Sequence, residues 1–207
     1  MNPDNGEMDA LRREIFGEQL HCKCQQELLG INGLKDGKEA EAAEAKASGD
    51  LFGYLNCHDK RHWPAVLESL IAETSPEEWA KAVRDAWIYS DEIWINKGKW
   101  KSILTRAKEL RGLMSDVEVS KFEQLADPLT IYRGCNERNT EGMSWSLDPN
   151  WAKAVARAGA VGQEADRVVR GLARKVDVLA YFEEHGEEQE VIIFPEFVDQ
   201  VEVIERL

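Results

Sequence analysis

Hydrophobic positions change their period near residue 127. Upstream, apolar residues recur at helical spacing; downstream they gather in short runs. Ser75-Pro76-Glu77-Glu78 supplies an N-cap, a proline at the first helical position and a capping-box glutamate. Trp79, Val83, Ala86, Trp87 and Trp94 then fall near one helix face. A further helix is predicted from Ser115, with Glu118 three residues later. Residues 39–47 are rich in Glu and Ala but carry no apolar stripe, which predicts an exposed helix or a mobile segment ending at Ser48-Gly49-Asp50. After Asp127-Pro128, strands are predicted at 129–133, 166–174, 176–182, 188–194 and 198–205. One helix interrupts them, capped by Asp148 with Pro149 at its first position. The expected fold class is α+β: a helical N-terminal region over 1–122, then a mixed unit over 123–207.

Five of the seven tryptophans lie between residues 63 and 100, so a Trp-rich helical core is expected rather than an aromatic ligand box. The 207 residues carry a net charge of −13, and acidic side chains outnumber basic ones on both sides of residue 127. Duplex binding needs the opposite balance, so no nucleic-acid partner is expected. A diffusely acidic surface suits basic protein partners and solubility. No apolar stretch approaches the roughly 18 residues that span a membrane. Asp4 and Glu7 stand where a secretory signal has a basic flank and an apolar segment, so none is expected. Four cysteines without dense spacing fit a reducing cytosol, either the protein's own or that of a target cell.

Candidate chemistry lies in three segments of the strand-rich part. Tyr132-Arg133-Gly134 closes the run 129–132, Ser144-Trp145-Ser146 precedes the helix start, and Glu188-Gln189-Glu190 opens the run 191–194. Side chains two apart on a strand share a face, so Glu188 and Glu190 are expected to point into a single cleft. An arginine, a serine pair and two carboxylates suit an anionic, sugar-containing ligand.

This order resembles the arginine–serine–glutamate class of mono-ADP-ribosyltransferases, of phage or bacterial type, which use NAD as donor. Residues 186–193 are similar to that family's glutamate-bearing loop and strand. The resemblance covers 129–207. It implies a split domain of two small packed sheets with a cleft between them, and an extra helical region ahead of it. It implies NAD as co-substrate, an accessible arginine on a target protein as acceptor, and no metal. Glu190 would contact the donor ribose and stabilise the cation that develops there. Glu188 would orient or deprotonate the acceptor guanidinium. Arg133 would pair with the donor's phosphates, Gly134 would bond the nicotinamide amide, Ser144 would bind ribose, and Ser146 would be structural. The family has threonine between the serines where Trp145 stands here; period-2 geometry points Trp145 into the core. Residues 157–165 are similar to the family's loop over NAD. That loop lacks an aromatic for nicotinamide, and Trp151 nearby is read as helix packing. Tyr181, Phe182 and His185 fall on the loop before Glu188, where the family's target recognition sits, and are acceptor-binding candidates.

Two rival readings keep the same fold: an NAD glycohydrolase with water as acceptor, and an inactive binding module. A separate cluster, with Cys22, Cys24, Cys57 and His58 as candidate ligands and His21 and His62 nearby, raises a structural zinc. Its spacing is not that of a standard finger, and buried or incidental residues are the expected reading.

Overall fold

Both predicted capping boxes form. Ser75 Oγ accepts the Glu78 amide while the Glu78 carboxylate accepts the Ser75 amide, each at 3.3 Å. Ser115 and Glu118 repeat the exchange at 3.3 and 2.8 Å. Each box satisfies backbone donors that the first helical turn leaves open. The computed structural model describes residues 33–90, 93–109, 112–158, 165–183 and 189–207. The chain divides into two compact units, Met1–Trp100 and Lys101–Leu207.

In the first unit the described residues form helices α1 (Glu39–Ser48), α2 (Leu51–Asn56), α3 (Trp63–Leu70) and α4 (Pro76–Ile88). Helix α5 (Lys97–Glu109) contains the division point. Helix α1 buries only Ala42 and Ala45, and ends on Gly49 at φ 77°, a left-handed cap that glycine adopts without strain. The four largest side chains of the core are Trp63, Trp79, Trp87 and Trp100. Two of the indole N–H groups are satisfied inside the unit: Trp63 Nε1 donates to Leu55 O at 2.6 Å and Trp79 Nε1 to Leu67 O at 2.7 Å. Trp87 meets Trp100 edge-to-face at 5.4 Å, the geometry that ring quadrupoles favour. These four tryptophans are therefore core.

The second unit holds helices α6 (Asp116–Gln124) and α7 (Pro149–Ala158) with strands β1 (Leu129–Cys135), β2 (Ser144–Ser146), β3 (Arg167–Ala173), β4 (Val178–Phe182), β5 (Glu190–Ile193) and β6 (Val198–Arg206). All pairings are antiparallel, and the strand order is β4-β5-β2-β1-β3-β6. Alternation sends Leu129, Ile131, Trp145, Val169, Val191 and Ile193 to one face. There Met114, Phe122 and Leu125 pack over them. On the other face, Ala152 and Ala156 of α7 pack against Val168 and Tyr132.

Hydrogen bonding joins the six strands into one sheet, where the resemblance led to an expectation of two. The join is narrow. Strands β1 and β3 share seven register pairs and β2 and β5 share three, but β1 and β2 share a single one, Tyr132 with Ser146. The sheet thus has a waist between β4-β5-β2 and β1-β3-β6. Among the described residues, no helix is long and apolar enough to cross a membrane.

Candidate functional site

The three distant segments land on neighbouring central strands. Ser146 lies in register with Tyr132 on one side and Glu190 on the other, and Ser144 faces Ile192. Glu190 faces Phe182 across the next ladder. Arg133, Ser144, Ser146 and Glu190 therefore gather at the waist.

Arg133 occupies the place where β1 and β2 part. Its Nη1 donates to Ser144 O at 2.6 Å and its Nε to Asn139 O at 3.3 Å. Gly142 lies against the guanidinium so closely that a Cβ there would stand 2.1 Å from Cζ. Burial pushes the Arg133 pKa down, while Cys135 and the Glu190 carboxylate act in the opposite direction. Arginine starts so high that it stays charged at any working pH. The result is a fixed cation whose field Glu190 shares. Sequence reasoning misses Asn139 and Gly142, for which only the turn-like composition of residues 136–142 gives a signal.

The close approach permitted by Gly134 is made by α7: a Cβ at this position would lie 2.3 Å from Ala152 O and 2.7 Å from Ala156 Cβ. Helix packing alone thus requires glycine there. Ser146 Oγ is buried and accepts the Asp148 amide at 3.0 Å, a bond that sets the chain into α7. Ser144 is half-buried.

Strand β5 begins at Glu190, two residues later than the run predicts. Gln189 adopts φ 37°, in the left-handed region, and its carbonyl accepts the Leu147 amide at 3.1 Å. A left-handed residue interrupts the strand pleat directly before Glu190. Glu188 itself lies outside the described residues, as do His185 and positions 159–164 of the loop similar to the family's NAD cover.

The expected placement of Tyr181 and Phe182 as exposed aromatics on the loop before Glu188 is corrected. Both belong to β4, whose five residues are all buried, and each is only 2% exposed. An apolar run covered on both faces continues the strand to Phe182, and the connection starts only at Glu183. Phe122 stacks on Tyr181 at 6.1 Å. Glu183 is held by its amide on Glu118 Oε1 at 3.1 Å and by an ion pair with Lys121. Burial, aided by the Glu183 carboxylate, pushes the Tyr181 pKa up from 10.0 to about 12. The fold therefore favours the neutral phenol, and this contribution is intact below pH 10 and lost as pH rises through about 12. Alkaline unfolding followed by circular dichroism should show that loss in the wild-type chain and not in Tyr181→Phe; equal profiles would refute it.

Trp151 is half-buried on α7. Of the zinc candidates, Cys22 and Cys24 lie outside the described residues, as does neighbouring His21. Cys57 Sγ donates to Gly53 O at 3.4 Å, and His58 Nδ1 lies 2.8 Å from Tyr54 O. Burial lowers the His58 pKa. Among the described residues, no group of three or more His, Cys, Asp or Glu is placed to hold a metal ion. A cavity of about 230 Å³ is lined by first-unit residues, among them Lys46, Leu70, Glu73 and Glu78, and includes none of the candidate residues. Comparison of the chain with protein-family models, with curated proteins and with solved structures found no match.

Proposed function

We propose that this chain is an NAD-dependent mono-ADP-ribosyltransferase that moves ADP-ribose to an arginine of a target protein and releases nicotinamide. The observation that carries the reading is the meeting of Arg133, Ser144, Ser146 and Glu190 on three adjacent strands, with the Glu190 carboxylate in electrostatic reach of the Arg133 guanidinium. The narrow waist between the half-sheets supports the split-domain reading.

In the proposed reaction the bond between nicotinamide nitrogen and the ribose anomeric carbon breaks, and its electron pair leaves with nicotinamide. Positive charge develops on the ribose, as in glycoside hydrolysis. A half-buried carboxylate at Glu190 opposes that charge without having to reorganise. Arg133 retains N–H groups beyond the two bonded to Asn139 and Ser144, and these suit phosphate oxygens. Ser144 offers its hydroxyl to the ribose. The acceptor guanidinium then bonds to the anomeric carbon, and its proton passes to Glu188 and on to solvent.

Incubation with labelled NAD and a whole-cell lysate tests the reading. Labelled protein bands are expected; free ADP-ribose alone means water is the acceptor, and neither product removes the proposal. Glu188→Gln is expected to cut protein labelling by about 10²-fold, the scale of one general base, while most NAD hydrolysis persists. Arginine is a poor nucleophile until a carboxylate takes its proton, whereas water does not need Glu188. Parallel loss of both activities would remove Glu188 from the acceptor role.

A further inference from the structure

We infer that Gly142 and Trp145 are positioning residues for the donor's phosphates, acting through Arg133; the inference rests on the donor-binding role proposed for Arg133. The Trp145 side chain is 3% exposed, and its indole Nε1 donates to Gly142 O at 3.0 Å. That bond pins the connection between β1 and β2 at the point where it crosses Arg133. A Cβ on Gly142 would lie 2.1 Å from Arg133 Cζ, 2.3 Å from Nη2 and 2.5 Å from Nε. The bare Cα thus forms one wall for the guanidinium plane, while Asn139 O and Ser144 O fix two of its donors. Trp145, where the resembling family has threonine, supplies the anchor for that wall from inside the core.

The nearest atoms to the missing Cβ are the far end of a flexible side chain and not backbone. Gly142→Ala should therefore displace the Arg133 guanidinium and leave the fold in place. The test measures binding of NAD and of ADP-ribose to the full chain by calorimetry, with steady-state nicotinamide release and a melting curve. Gly142→Ala is expected to weaken both ligands about tenfold, the scale of one disturbed charge-assisted contact. KM for NAD should rise with kcat little changed, whereas inhibition by nicotinamide, which carries no phosphate, should stay as in wild type. Trp145→Phe, which removes only the indole N–H and part of the ring, should shift both affinities in the same direction by about threefold. Affinities within about twofold of wild type in folded Gly142→Ala would overturn the inference. So would an unfolded Gly142→Ala, because the glycine would then serve the backbone and not the guanidinium. A wild-type chain that binds neither NAD nor ADP-ribose would instead overturn the proposed function.

Discussion

Replacing Glu190 with glutamine is expected to lower nicotinamide release and protein labelling together by about 10²–10³-fold, the usual cost of losing one preorganised electrostatic group. Glutamine keeps the length and the hydrogen-bonding capacity of the side chain. The strand pairing of residue 190 with Ser146 and Phe182 is made by backbone and is untouched. In the proposed reaction, what disappears is the negative charge beside the ribose as the nicotinamide bond breaks. Arg133 loses the same carboxylate, one of the two groups that offset the effect of its burial. NAD affinity should change little, because the proposed reading assigns the phosphates to Arg133 and not to Glu190, so the loss should appear in kcat. Nicotinamide release measured at equal folded fraction decides the matter. Turnover equal to wild type would take Glu190 out of the mechanism.

The largest expected loss of stability is at Trp79. Truncation of a buried aromatic to alanine costs about 3–5 kcal/mol from lost burial and the cavity left behind. Trp79 is 1% exposed on α4, and its indole N–H is the donor to Leu67 O. Trp79→Ala would also leave that carbonyl in an apolar surround without this donor, a further cost of about 1–3 kcal/mol. A domain stable by about 5–15 kcal/mol loses a large part of its margin. Denaturant unfolding of the full chain should show a first-unit transition moved to much lower denaturant, or already complete without it. A midpoint equal to wild type would mean that Trp79 does not hold the helices together.

Local rules made much of the architecture readable. Ser75 with Glu78 and Ser115 with Glu118 mark helix starts because the cap and its partner are three residues apart and need no distant context. The runs at 129–133 and 198–205 mark strands for a similar reason, and Trp145 faces the core as alternation requires. Strand order lies beyond such rules, because the pairing of β2 with β5 joins residues more than forty positions apart. Of the site, Arg133, Ser144, Ser146 and Glu190 are legible from the order of their three segments and its resemblance to the transferase family. The hold of Asn139 and Gly142 on Arg133 is not, because it depends on how an irregular connection folds back. Gln189 escaped because a left-handed glutamine has no signature in sequence. Tyr181 and Phe182 belong both to the run 176–182, which reads as a strand, and to the edge of the acidic segment, which reads as a loop; burial on both faces decides for the strand.

The single register pair between β1 and β2 has a mechanical consequence. Each half-sheet is braced by its own ladder, so bending concentrates where the Tyr132–Ser146 register pair and the bond from Arg133 to Ser144 O connect them. Releasing that pair costs on the order of one or two backbone hydrogen bonds, about 1–3 kcal/mol, whereas shearing the seven-pair ladder of β1 and β3 costs several times more. The softest direction of the sheet is therefore a scissoring that changes the gap between Arg133 on one blade and Glu190 on the other. On the proposed reading, in which Arg133 and Glu190 take different parts of one donor, the two charges are thereby given an adjustable span.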